Sequence, residues 1–335
     1  MMPYRAPWWA SNAHIQTILP ALMRVPKPVY ERERWDTPDD DFIDIDWVNR
    51  DVLAQPNARL IILFHGLEGS SDSTYAKTLM NECIAHNHAG AVVHWRSCSG
   101  EMNRQAVFYH SGFSSEVDWV LRRFAQQYPN STRHAAGVSL GGNALLKWLG
   151  EQGADSLAVI SSAAAICAPH SLKAGSIALA SGFNQRVYMR NFLKTLKAKG
   201  LKKLEQHPNA PINADLVRAA KNFNDIDNAA TAPLHGYRDA EDYWRRASCK
   251  AFLKTIATPT LVLNALNDPF IPAHSLALPT EVSPAVSLEY LPHGGHVGFL
   301  YGHTRAHVTW LPRRILNFFT AQTDLAQATI APTLR

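Results

Sequence analysis

Arg133 to Lys147 reads RHAAGVSLGGNALLK. Its centre, Gly137-Val138-Ser139-Leu140-Gly141, fits Gly-x-Ser-x-Gly, in which a strand turns sharply into a helix and a serine sits on the bend. The spacing has a mechanical reason: glycines two residues either side of the serine leave no side chains to collide in so tight a turn. His134 to Val138 is short and weakly polar, as a buried strand can be. The run Asn143 to Leu149 is rich in helix formers and predicts a helix stopping at Gly150.

Working outward, Leu60-Ile61-Ile62-Leu63-Phe64 is a continuous apolar run, the pattern of a central strand covered on both faces. It ends in His65-Gly66-Leu67-Glu68-Gly69 and precedes a helix predicted over 74–86. Further strands are predicted at Ala91 to Trp95, Leu157 to Ser161, Thr260 to Asn264 and Val286 to Tyr290. Helices are predicted from Ser114 and over 311–321, with a loose tail from Leu325. Upstream, a short helix is expected from about Ser11 through Leu22. Arg32 to Thr37 and Phe42 to Val48 read as two strands around a polar turn, and alternation in the second suggests a half-exposed antiparallel edge. Strands alternating with helices argue for an α/β fold, a mostly parallel central sheet flanked by helices. The interval from about Pro169 to Ala251 breaks that alternation with helical patterns and no convincing strand. The expected organisation is therefore a first core segment with its lead-in (1–165), an inserted helical cap (166–250), and a second core segment with a C-terminal tail (251–335).

A serine at such a bend is inert without a base, because its hydroxyl must lose a proton as it attacks. In this architecture the acid and then the base follow the serine on loops after later strands. Asp268, in Asn267-Asp268-Pro269, lies just beyond the apolar run at Leu261. His296, in His293-Gly294-Gly295-His296-Val297-Gly298-Phe299, follows the run ending at Leu291. Taken alone, Asp-Pro is a common turn former and any one of fifteen histidines is more often a packing residue. The agreement of Ser139, Asp268 and His296 in order and context carries the reading. His293 is the rival base, and the glycine pair before His296 favours the latter. An oxyanion needs preformed donors. The backbone N–H groups of Leu140, after the serine, and of Leu67, in the loop after the strand at Leu63, are the candidates.

These residues together resemble the α/β hydrolase superfamily over about residues 55–320. His65 to Gly69, the run RSCSGEMNRQAVFYHSG from Arg96 to Gly112, Gly137 to Asn143 and Gly295 to Phe299 are similar to its YheT-like branch, as is the lead-in with Trp9, His14, Ile15, Gln16, Thr17 and Ile18. The resemblance implies a Ser139–Asp268–His296 triad and a serine esterase reaction that needs no metal or organic cofactor. One departure is visible: the branch often has Arg-Gly where this chain has Arg96-Ser97. An acyltransferase working through the same acyl-enzyme, and a non-catalytic binding protein of this fold, are the alternatives. The second is disfavoured because all three triad residue types are present.

Composition fits this picture. Of the 335 residues 46% are hydrophobic and 18% charged, ample for a large core. The four cysteines are scattered and form no Cys-x-x-Cys pair, so neither a zinc site nor a disulfide framework is indicated. With no signal-peptide pattern at the start and no long apolar run, a cytoplasmic setting is expected. The net charge of +5 is concentrated: residues 166–250 hold fourteen Lys/Arg against seven Asp/Glu. Within that segment Met189, Phe192, Leu193 and Leu196 recur at helical spacing beside Arg186, Arg190, Lys194 and Lys197, and Lys199, Lys202 and Lys203 continue the basic run. A lid helix with a solvated charged face is the favoured reading, weak peripheral contact with an anionic lipid surface the sharper one. A small-molecule or lipid ester is the expected substrate, and a nucleic-acid partner is not expected, because no recognition fold accompanies the charge.

Overall fold

The computed structural model describes residues 3–330, with side chains to Leu325. Eight strands form one sheet: β1 (Glu31–Asp36), β2 (Phe42–Val48), β3 (Arg59–Phe64), β4 (Ala89–Val93), β5 (Thr132–Val138), β6 (Ser162–Ile166), β7 (Thr260–Ala265) and β8 (Val286–Leu291), in the order β1-β2-β4-β3-β5-β6-β7-β8. β1 and β2 pair antiparallel, as do β2 and β4, and every other neighbouring pair is parallel. Two separate apolar layers pack on the sheet. One holds Leu79, Met80, Ile315 and Phe319, the other Val120, Phe124, Leu145 and Trp148. They belong to helices α2 (Thr74–Ala85), α3 (Ser114–Gln127), α4 (Leu140–Gln152) and the C-terminal Trp310–Ile330. The expected α/β architecture is thus present, with helices on both faces.

The lead-in helix α1 (Ala13–Leu22) forms where expected, started by Asn12, whose side chain accepts from the N–H groups of His14 and Ile15. Five expectations need correction. The half-exposed edge strand is β1; β2 is buried along its whole length. Its alternating Asp44 and Asp46 looked solvent-facing but are neutralised by bidentate pairing with Arg34 and Arg32 reaching across from β1. His94 and Ser71 also bond Asp46. Burial alone would raise the Asp46 carboxyl, and these partners outweigh it and hold it below the usual carboxylate range. Second, Leu157–Ser161 is not a strand. Gly153–Ala158 is a 3-10 turn, and the sheet takes Ser162–Ile166, SAAAI, whose small side chains fit between the two layers. Third, β4 lies at Ala89–Val93, so His94 and Trp95 begin the following loop. Fourth, α4 runs through Gly150 to Gln152; the Phe252 carbonyl packs where a Cβ at Gly150 would stand, so this glycine answers to close packing and does not stop the helix. Fifth, the C-terminal helix continues through Leu325 to Ile330, and the remainder of the expected tail lies outside the described residues.

Ser97, at the position where the similar branch often has glycine, adopts a left-handed backbone with φ 65°. Its hydroxyl donates to the Asn103 side-chain oxygen at 2.5 Å and accepts from the Asn103 N–H at 3.1 Å, which offsets the strain and keeps the loop's turn.

Between β6 and β7 the chain is helical, including α5 (Leu172–Leu179), α6 (Arg190–Gln206), α7 (Ala214–Ala219) and α8 (Ala240–Ala247), with π-helical turns at Gln185–Met189 and Asp227–Thr231. The apolar stripe running from the π-helical turn into α6 is real: Met189 and Leu193 are buried. The basic run is not uniformly solvated. Arg186, Arg190 and Lys194 are exposed, whereas Lys203 is fully buried and donates to the carbonyls of Asn103 and Gln105 and to the Asn103 side chain. No helix among the described residues is long and apolar enough to cross a membrane.

Candidate active site

Ser139 stands between β5 and α4 with φ 52° and ψ −116°, a conformation costly for any residue with a Cβ. The surroundings hold it there. Its N–H donates to the Ile166 carbonyl on β6 at 2.8 Å, and its carbonyl accepts from the Asn143 N–H at 3.0 Å. A Cβ on Gly137 would lie 2.5 Å from the Gly141 carbonyl oxygen, and one on Gly141 would strike the Phe64 carbonyl at the end of β3. The two glycines of the motif are therefore required by close approach of backbone to backbone.

The three residues selected from the sequence converge. His296 Nε2 lies 3.0 Å from Ser139 Oγ, and His296 Nδ1 lies 2.8 Å from Asp268 Oδ2. Asp268 Oδ1 accepts from the N–H groups of Phe270 at 2.7 Å and Ile271 at 3.3 Å, so the carboxylate is fixed at both oxygens. The Phe270 ring stacks on the imidazole at 4.2 Å, and the His296 N–H donates to Thr17 Oγ1 on α1 at 2.9 Å. The lead-in helix thus braces the loop that carries His296, a contact that composition alone did not reveal for Thr17. His293 is exposed and stands beside Asn267, away from the serine. Cys167, Asp268 and His296 offer ligand atoms within 4.8 Å of one another. The Cys167 thiol accepts from the Val297 N–H, and burial first, then the Asp268 charge, push its pKa well above the usual thiol range. A neutral thiol already used as an acceptor packs against Asp268, which makes this trio poor metal-binding chemistry.

The loop after β3 spends its donors selectively. The N–H of Gly66 donates to the Tyr75 hydroxyl, that of Glu68 to the Tyr109 hydroxyl, and that of Gly69 to the Gly66 carbonyl. This leaves the Leu67 N–H without an acceptor among the described residues. Leu140 is the first residue of α4, where N–H groups have no partner inside the helix. Both residues line the same chamber as Ser139 and His296. His65 organises the loop from within. Burial, then His94, hold its pKa down at about 3, so the ring is neutral. Nδ1–H donates to the Gly66 carbonyl at 2.7 Å, and Nε2 accepts from the Trp95 N–H at 3.2 Å. Tyr75 and Tyr109 were not singled out in the sequence, because nothing in a lone tyrosine signals that its hydroxyl will meet a loop N–H.

Two clefts meet at Ser139. One is a mostly apolar chamber roofed by the helical segment, with Leu179, Phe192, Leu196, Phe223, Ile226 and Phe270 among its walls. The other lies between α1 and the N-terminal part of α2, with Ile18, Leu22, Val187 and Val297 beside it.

The family description "alpha/beta hydrolase fold" matches residues 59–303. The chain is 38% identical over 312 residues to the candidate esterase YheT of Escherichia coli (strain K12), covering 92% of this chain and 91% of that one. It is 29% identical over 325 residues to the phospholipase ABHD3 of Mus musculus, covering 94% and 78% respectively. Among solved structures, the Pyrococcus furiosus esterase Pf2001 is similar with a TM-score of 0.55 over 89% of this chain and 99% of that chain; at 12% identity this is a likeness of fold.

Proposed function

This chain belongs to the α/β hydrolase fold family, and on that premise we propose that it is a carboxylic ester hydrolase working through an acyl-enzyme on Ser139. The observation that carries the reading is the continuous chain from Ser139 Oγ to His296 Nε2 at 3.0 Å and from His296 Nδ1 to Asp268 at 2.8 Å, opening onto an apolar chamber. In this mechanism His296 takes the serine proton as Oγ attacks the ester carbonyl, and Asp268 holds the Nδ1–H tautomer and stabilises the imidazolium. The N–H groups of Leu67 and Leu140 hold the tetrahedral oxyanion, each worth about 2.7–4 kcal/mol in comparable sites. His296 then protonates the departing alcohol and activates the water that releases the acid. The reaction calls for neither metal nor organic cofactor.

Residues 166–250 act as a cap in this scheme, and their apolar lining suits an aliphatic or lipid acyl group, in keeping with the phospholipase among the relatives. Four free thiols suit a reducing cytoplasm. A series of p-nitrophenyl esters from acetate to laurate tests the proposal. Wild-type protein should hydrolyse them with a preference for chains longer than acetate, and Ser139→Ala should not. Equal rates for wild type and Ser139→Ala, or a best rate on acetate, would contradict the serine mechanism or the acyl chamber respectively. Added ethanol should yield negligible ethyl ester; a dominant ethyl ester product would make the chain an acyltransferase.

A further inference from the structure

Glu68 directly follows Leu67 and holds a left-handed backbone with φ 56°. The Tyr109 hydroxyl clamps both ends of this residue, accepting from its N–H at 2.7 Å and donating to Glu68 Oε1 at 2.7 Å. Tyr109 is itself fixed. Its ring is buried and lies nearly parallel to that of Trp95, with 9° between the planes, and the Trp95 indole N–H donates to the His65 carbonyl at 2.8 Å. The remaining partner of Glu68 comes from the helical segment. Lys199 on α6 places Nζ 2.7 Å from Glu68 Oε1, 3.4 Å from Cys98 Sγ and 5.7 Å from the centre of the Tyr109 ring. Both side chains of the Lys199–Glu68 pair are mostly buried and line the largely apolar chamber. Burial works against the Lys199 charge, and Cys98 and Glu68 outweigh it, so its pKa is raised and it stays cationic.

We propose that Lys199 is a positioning residue for the oxyanion hole: by pairing with Glu68 it ties the seating of α6 to the orientation of the Leu67 N–H. The inference rests on the ester-hydrolase reading above. The geometry gives it a direction. Among the described residues, the Leu67 N–H is the one backbone donor from Gly66 to Gly69 with no acceptor; the residue that follows it is strained, and a strained residue needs neighbours to hold it. Two of the three contacts that hold Glu68 come from Tyr109 in the core. The third crosses from α6, so the loop is fully braced only when the helix is seated. Lys203, one turn further along α6, anchors the same helix to Asn103 and Gln105 and, among the described residues, forms no hydrogen bond or ion pair with the loop at Leu67. Its removal therefore loosens the seat of α6 while leaving the Lys199–Glu68 pair in place.

The test uses the full chain with Lys199→Met, Lys199→Arg, Glu68→Gln, the double variant Lys199→Met/Glu68→Gln, and Lys203→Met. For p-nitrophenyl ester hydrolysis, Lys199→Met should lower kcat about 10–100-fold, less than the 10²–10³-fold of deleting an oxyanion donor outright, with KM changed less than about 3-fold. Affinity for a trifluoromethyl ketone, which forms a tetrahedral oxyanion on Ser139, should fall in parallel with kcat/KM. Lys199→Arg should recover most of the loss. The double variant should lose little more than the worse single, because both act through one contact. Lys203→Met should lower the melting temperature and cost kcat clearly less than Lys199→Met, because the Lys199–Glu68 pair is still present. An unchanged kcat in Lys199→Met, a loss confined to KM, additive singles, or an equal kcat loss in Lys203→Met would each overturn the proposal. A wild type without Ser139-dependent turnover removes the ester-hydrolase reading and this inference with it. A normal wild type matched by Lys199→Met removes the inference alone.

Discussion

His296→Ala is expected to lower kcat for ester hydrolysis by about 10⁵–10⁶-fold, the scale on which deleting the base of such a triad disables the whole unit. The serine hydroxyl lies 3.0 Å from Nε2, and no other titratable ring takes that place: His293 is exposed beside Asn267. KM should move only a few-fold, since the chamber walls remain. The fold should survive, because His296 is braced by its backbone N–H to Thr17, a bond alanine keeps. Steady-state kinetics with a p-nitrophenyl ester, read beside a thermal melt, decides the matter. A loss below about 100-fold with an unchanged melt would mean that His296 is not the base.

Asp268→Asn should cost about 10⁴-fold in kcat while barely touching stability. The reason lies in which oxygen does what. Asp268 Oδ1 accepts from the N–H groups of Phe270 and Ile271, so an asparagine must keep its carbonyl oxygen there. Its amide nitrogen then faces His296 Nδ1 and donates to it. That reverses the tautomer, placing the imidazole proton on Nε2, where it faces Ser139 and can no longer accept the serine proton. The substitution is nearly isosteric, so the predicted signature is a large kcat loss with an intact chain. A kcat within about 10-fold of wild type would show that the tautomer is set by something other than Asp268.

Much of the architecture was legible because its signals are local. The apolar run of β3, the glycine spacing around Ser139 and the Asp268 and His296 loops each state their constraint within a few residues. The misreadings came from partners distant in sequence. Asp44 and Asp46 alternate like a solvent-facing strand, and only Arg34 and Arg32, brought alongside by the β1–β2 register, make their burial tolerable. The sheet takes Ser162–Ile166 in preference to the more apolar Leu157–Ser161 because alanines fit the space between two helical layers, a constraint no window of sequence contains. Lys199 and Lys203 look like the continuation of a solvated basic face, yet one meets Glu68 and the other the carbonyls of the loop after β4. Tyr75, Tyr109 and Thr17 act through hydroxyls on backbone N–H groups, and their contribution depends on three-dimensional placement that periodicity does not encode.

The central claim is that Ser139, activated by His296, is the nucleophile. Incubating the full chain with a fluorophosphonate probe and mapping the adduct by peptide mass spectrometry tests it most directly. One stoichiometric adduct on Ser139 is the expected result, absent from Ser139→Ala and formed far more slowly by His296→Ala. An unlabelled wild type, or an adduct on another residue that persists in Ser139→Ala, would contradict it.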